Sequence, residues 1–426
     1  MNQLFKRIEK IRGELNLGGD KSISHRAVMF ASMAEGDSTL HNCSSSFDVW
    51  STVACFRTLG CEIEGDTNLL RINGRGYKGF NAPSQPLDCG NSGTTARLIS
   101  GILCAQNFES TLIGDESLSK RPMKRVIEPL SKLGAKFKAT EEGTLPLTVY
   151  PGDSLVPIQY EMSVASAQVK SAIILAGIHL DEISTITENE ITRNHTEKLL
   201  NISTEKTGDI TKIFFSRKNY PQKFELTVPS DISSASFFIV LAILTNDSEI
   251  TIKNVSLNET RTGIINILKK MNGDITIQNS RTEHGETCGD LLVRSSNLIN
   301  VEIPKNIIAN IIDEIPILSI AGIFAKGDFR IEGAKELRVK ESDRIKALCH
   351  NFKIAGLSVN ELEDGFEISG VCNNSVNTFE SFGDHRIAMA FAVFSMLHKE
   401  GGRVNNFDCA AISNPDFIKQ VTELTR

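Results

Sequence analysis

The chain has 426 residues, 40% hydrophobic and 23% charged, the balance of a globular soluble protein with room for about two or three domains. Its net charge of −6 disfavours a nucleic acid or an anionic membrane as partner, so any basic cluster is local and aimed at a small anion. Nine scattered cysteines without a C-x-x-C pair exclude a disulfide frame or a zinc site, the opening MNQLFKRIEK lacks a signal-peptide core, and no apolar run reaches spanning length, so a cytoplasmic address is expected.

The first strong element is KSISHRAVMFASMA from Lys21, an apolar helix that Ser22 or Ser24 is expected to cap. Its first turn carries Lys21, His25 and Arg26. Cations at a helix start each cost roughly 0.3–1 kcal/mol against the helix dipole. Their placement makes sense when an anion sits among them.

The same design recurs. Small or polar loops open Ala/Ile/Leu-rich helices at Lys21, Gly90, Ser166, Asp231, Asp313 and Asp384, spaced by 65 to 82 residues. A turn and a short β-rich run follow each helix, as in GDSTLHN, NFESTLIG and NDSEITIKN, and then in most units an amphipathic second helix. The core helices have few charges on any face, so helices inside and sheets outside are expected. The repeat set halves near Val228-Pro229-Ser230, which suggests two domains of three units each.

The polar loops carry the chemistry. Ser22 and Arg26 are four apart and share a helical face. GNSGTTAR supplies an anion nest with Gly93 and, a turn on, Arg97; RPMKR adds Arg121, Lys124 and Arg125. Ser166 and Gln168 offer neutral hydrogen bonds, and TRNHTEK adds Arg193. The fourth unit opens at Asp231. The fifth opens on Asp313 and is followed by RVKESDR, read as a helical stretch with Lys340 and Arg344 on one face beside Glu341; the sixth opens as GDHR with Arg386. Singly, each has a plain reading: Asp231, Asp313 and Asp384 as helix caps, His25 and His385 as structural histidines, RVKESDR as a salt-bridged surface. Recurrence at the same place in nearly every unit favours ligands. GRGYKG matches a dinucleotide fingerprint in letters only, because FNAPSQP cannot form the helix that must follow. There is no P-loop signature and no metal-ligand spacing.

Lys21-Ser22-x-Ser24-x-Arg26, Gly90-Asn91-Ser92-Gly93-Thr94, Arg121-Pro122-Met123, Ser166-Ala167-Gln168, Asp313-Glu314-Ile315-Pro316, Arg338 through Arg344 and Gly383-Asp384-His385-Arg386 together resemble the 5-enolpyruvylshikimate-3-phosphate synthase family, in the family's order over nearly the whole chain. The SAQ form and TRNHTEK look more like its glyphosate-tolerant bacterial branch. The resemblance implies an α/β fold of two inside-out domains, each of three βαβαββ repeats: 14–228, and 1–13 with 229–426, hinged near 13–20 and 228–231.

It also implies transfer of the enolpyruvyl group of phosphoenolpyruvate to the 5-hydroxyl of shikimate 3-phosphate, in the shikimate pathway, by a cytoplasmic monomer without metal or organic cofactor. By motif position Lys21, Ser22, Arg26, Ser166, Gln168, Arg193, Asp313 and Lys340 hold shikimate 3-phosphate. Lys21, Gly93, Arg121, Gln168, Arg344 and Arg386 hold phosphoenolpyruvate. Asp313, Glu341, Lys21 and Lys340 are the catalytic set.

Two departures stand out: Ala411, Ile412 and Ser413 occupy the stretch where many relatives place a phosphoenolpyruvate-contacting lysine, and Glu336 stands where many have asparagine. The rival acceptor is UDP-N-acetylglucosamine, whose transferases typically show Lys-Asn where this chain has Lys21-Ser22 and a cysteine in the loop that here reads GDESLSKRPM. A non-catalytic anion-binding repeat protein would have no need for Asp313 and Glu341 among its cations. An RNA-end-processing enzyme of related architecture is disfavoured by the negative charge.

Overall fold

The computed structural model describes residues 2–152 and 155–425. The chain divides into two compact units: a first of Gly18–Val228 with Glu283–Glu286, and a second of Met1–Leu17, Pro229–Thr282 and Thr287–Arg426. Each has its own apolar core.

In the first unit three core helices, Lys21–Met33, Gly93–Leu103 and Ala167–Gly177, are buried nearly all round. This is why their sequences lack a polar stripe. Three four-stranded sheets accompany them, and all share one topology: an edge strand parallel to its neighbour, then two antiparallel strands. In the sheet that holds Glu35–His41, the edge strand is Glu225–Thr227, the last of the unit, so Leu226 lies beside Leu40 and Leu40 beside Leu70.

The second unit repeats the plan with core helices Ile232–Leu244, Ile315–Phe324 and His385–Leu397. Here the N-terminal segment closes two sheets: Arg12–Leu15 runs parallel to Glu249–Ser256, and Gln3–Phe5 antiparallel to Gly402–Asn405. That pairing carries residues 14–17 into this unit, beyond the boundary expected after residue 13. Both units thus bury their core helices against sheets, in keeping with the inside-out α/β arrangement that the resemblance implies.

Side chains at the helix starts follow a capping logic. Asp20, not Ser22 or Ser24, caps the first core helix, its Oδ1 accepting from the Ile23 N–H at 2.9 Å. The aspartate sits one residue ahead of Lys21, which leaves both serines inside the helix. Ser92, Ser166, Asp231 and Asp384 cap the second, third, fourth and sixth. The fifth differs: Glu314 is its cap residue, without a side-chain cap bond, and Asp313 lies outside the helix.

The core helices touch through small residues. A Cβ on Gly101 would stand 2.2 Å from the Ala172 carbonyl oxygen. Gly101→Ala must therefore push two packed helices apart, and a loss of about 2 kcal/mol is expected. Urea unfolding reads this as a lowered midpoint; an unchanged midpoint would refute the close approach.

Candidate active site

In the first unit the helix starts are tied into one polar network. Lys21 Nζ lies 2.7 Å from Asp48 Oδ2. Arg26 is buried and donates from Nε to Thr196 Oγ1 at 2.7 Å, from Nη2 to Ser171 Oγ at 2.8 Å and from Nη1 to the Ser22 carbonyl at 3.0 Å. Burial pulls its pKa down to about 10, Glu197 opposes that fall, and Arg193 adds to it. Two guanidinium groups within electrostatic range of each other favour an anion between or beside them.

Gln168 bridges the next two helix starts. Its Oε1 accepts from Arg97 Nη1 at 2.7 Å and its Nε2 donates to Thr94 Oγ1 at 3.0 Å. Arg121 Nη2 reaches Asn91 Oδ1 at 3.3 Å. Gly93 is glycine for a spatial reason, since a Cβ there would come within 2.7 Å of Arg97 Nη1. Ser166 caps its helix, and Arg193 stands two residues before the short helix His195–Leu199. Thus Lys21, Ser22, Arg26, Gly93, Arg121, Ser166, Gln168 and Arg193 all fall in this unit, at or near helix starts.

The second unit holds a denser cluster around Asp313. Lys340 Nζ is 3.9 Å and Arg344 Nη1 3.3 Å from its Oδ1, and Arg386 Nη2 is 3.8 Å from its Oδ2. Arg386 also donates to the Asp313 carbonyl at 3.0 Å. Glu341 Oε2 takes a 2.7 Å bond from Arg344, whose Nε meets Asp384 Oδ2 at 2.7 Å. Burial works against a charge on Arg344, yet Asp384, Glu341 and Asp313 together hold its pKa above the usual arginine range. Burial likewise opposes the charge on Asp384, and Arg344 outweighs it, so that carboxyl lies below the usual range.

Lys340 and Arg344 meet at Asp313, but not as one helical face. Lys335–Val339 is a 3-10 turn, Lys340 is extended, and the α-helix starts at Arg344 behind its cap Asp343. The plain readings divide accordingly. Asp384 is both a cap and an arginine partner, Asp231 is a cap near Arg261, and Asp313 is no cap.

Several members of these clusters are absent from the sequence-based set. Glu314 is fully buried, accepts from Ser233 Oγ, and lies 3.5 Å from Arg261 and 3.8 Å from Arg386. Asp48, Ser171, Thr196 and Arg261 are others. Their only sequence signal is that a charged or hydroxyl residue borders an apolar helix.

His25 is buried beside this chemistry, with Nδ1 2.7 Å from Thr52 Oγ1. Burial lowers its pKa to about 3. An unfolded imidazole takes up a proton near pH 6.5 and the folded one does not until about pH 3. Folding stability should therefore fall as pH drops through that window. Urea midpoints at pH 7 and pH 5 should converge in His25→Gln relative to the unsubstituted chain; an identical pH dependence would contradict the buried neutral ring.

Comparisons with known proteins cover nearly the whole chain. The enolpyruvyl transferase NikO from Streptomyces tendae shares the fold, with a TM-score of 0.78 over 99% of this chain and 97% of that one at 13% identity. This likeness shows the fold, the one that NikO has. The structure of EPSP synthase from Acinetobacter baumannii matches with a TM-score of 0.88 at 37% identity, covering 99% of this chain and 98% of that one. The 3-phosphoshikimate 1-carboxyvinyltransferase of Caldicellulosiruptor saccharolyticus is 46% identical, covering 98% of both chains, and that of Pelobacter propionicus 44%, covering 96% of this chain and 95% of its own. The family model for EPSP synthase (3-phosphoshikimate 1-carboxyvinyltransferase) matches residues 5–421. The chain belongs to this family.

Proposed function

We infer that this family member is a transferase that moves the enolpyruvyl group of phosphoenolpyruvate to the 5-hydroxyl of shikimate 3-phosphate and releases phosphate. Family membership over nearly the whole chain supports the reaction. The assignment of roles rests on one observation: Asp313, an aspartate that caps no helix, stands among Lys340, Arg344 and Arg386 with Glu341 on the same arginine. Acids set among anion-binding cations suit proton transfer to a substrate that is itself anionic.

The two substrates bring two phosphates and two carboxylates, whose mutual repulsion must be cancelled. Ser22, Arg26, Ser166, Gln168, Arg193 and Lys340 are assigned to shikimate 3-phosphate, with Asp313 at its 5-hydroxyl. Lys21, Gly93, Arg121, Gln168, Arg344 and Arg386 are assigned to phosphoenolpyruvate, the arginines suiting bidentate pairing. In the addition step Asp313, assisted by Lys340, takes the 5-hydroxyl proton as that oxygen bonds to C2 of phosphoenolpyruvate. Glu341, which enters the step in its acid form, gives its proton to the methylene carbon, and a tetrahedral ketal phosphate results. In the elimination Glu341 takes a proton back from the new methyl group while the C2–O bond to phosphate breaks, and Lys21 steadies the leaving phosphate, which carries off the proton that Asp313 took. The reading includes a cytoplasmic monomer that needs neither metal nor organic cofactor.

Phosphate release from phosphoenolpyruvate tests it, with shikimate 3-phosphate or UDP-N-acetylglucosamine as acceptor. Release is expected with shikimate 3-phosphate alone; release only with the sugar nucleotide would overturn the acceptor, and none with either would favour a binding protein. Asp313→Ala should lower kcat on the order of a thousandfold and leave phosphoenolpyruvate binding nearly intact. Near-normal turnover in that variant would refute the role of Asp313.

A further inference from the structure

Behind Arg26 lies a group of charges that the reaction itself does not use. Lys170 is fully buried on the third core helix, four residues after Ser166 and two after Gln168. Its Nζ stands 2.9 Å from Glu188 Oε2 and 2.7 Å from Glu197 Oε1, and both carboxylates are buried. Glu188 ends the strand Ser184–Glu188 and also accepts from Thr192 Oγ1 at 3.1 Å. Glu197 belongs to the short helix His195–Leu199, and its Oε2 is buried without a hydrogen-bond partner among the described residues.

A structural role alone explains this group poorly. Burying an ion pair gains little stability, and apolar replacements are often as good. One carboxylate would also have sufficed for one lysine. The second leaves the trio with a net charge of −1 inside the protein.

The missing counter-charge is Arg26. Its own hydrogen bonds all go to neutral groups, Thr196, Ser171 and the Ser22 carbonyl. Thr196 and Ser171 are the residues beside Glu197 and Lys170, and their hydroxyls bond each other at 2.7 Å. Geometry thus comes from the hydroxyls and charge balance from the carboxylate next door. The same group pins the segment that carries Arg193, since Thr192 is bonded to Glu188 on one side. On the other, His195 Nδ1 meets the buried Glu286 Oε1 at 2.7 Å.

We propose that Lys170, Glu188 and Glu197 are positioning residues for shikimate 3-phosphate: without touching it, they fix the aim and charge of Arg26 and the loop that presents Arg193. This rests on the reading that Arg26 and Arg193 bind that substrate. Glu197 supplies the charge, Lys170 keeps the two carboxylates from repelling each other, and Glu188 anchors the loop.

Calorimetric titration of shikimate 3-phosphate into the full chain and its Glu197→Gln variant tests the proposal, together with steady-state kinetics for both substrates. Glu197→Gln keeps the shape and removes the charge. The dissociation constant for shikimate 3-phosphate should rise about tenfold, as for a lost interaction with a charged group, while the KM for phosphoenolpyruvate stays within about twofold. Thr196→Val, which removes one neutral acceptor of Arg26, should raise the same constant about threefold and decides the matter if Glu197→Gln does not fold. A folded variant with lowered thermal stability and an unchanged dissociation constant would mean a merely structural role and overturn the proposal. If the unsubstituted chain binds no shikimate 3-phosphate, the functional reading fails and this one with it. If Arg26→Ala abolishes binding and Glu197→Gln leaves it intact, only the positioning role fails.

Discussion

Arg344 is withdrawn from water at the start of a helix, and three carboxylates keep it charged there. A guanidinium in an apolar helical core is tolerable only when opposite charge is built around it, because an unpaired buried ion is far costlier than any single contact can offset. The whole second-unit cluster follows from that need. Asp384 caps the sixth core helix and holds Arg344 Nε; Glu341 and Asp313 take its other nitrogens. Each of these acids is then fixed in place by the arginine it serves.

The first unit meets the same need by other means. Arg26 is buried among hydroxyls and a carbonyl, and the carboxylate Glu197 follows its partner Thr196 in the sequence. Arg97 donates to Gln168 and to the Pro122 carbonyl. Neutral partners fix the direction of each guanidinium, and for Arg26 the counter-charge comes from Glu197 nearby. Where carboxylates crowd the cations, as at Asp313, the group gains proton-transferring capacity along with anion affinity.

Much of the architecture was legible from the chain alone. Six apolar helices with polar openings show the repeat plainly, because a helix buried on every face has no polar stripe to blur the pattern. Boundaries and caps were less legible. Asp20 displaces Ser22 and Ser24 as cap, and residues 12–15 pair with a strand more than two hundred positions away. A shift of two residues and a long-range parallel pairing leave no local trace. RVKESDR reads as a helical face by charge spacing, yet Arg338 and Val339 end a 3-10 turn, and Lys340 reaches Asp313 from an extended backbone. Residues that name the chemistry stood out by recurrence at helix starts. Those that support it, such as Glu314, Arg261, Lys170 and Glu197, did not, since a buried charge inside an apolar stretch looks in sequence like an ordinary solvated one.

Both units therefore place their cations before any substrate arrives, and this preorganisation lowers the cost of gathering anionic ligands. Crystal structures of the chain alone and with each substrate bound test it most directly. Preorganised cations keep Arg344 Nε on Asp384 and Arg26 Nε on Thr196 in every state, with shifts under about 1 Å. A guanidinium that leaves these partners to reach a substrate would contradict it.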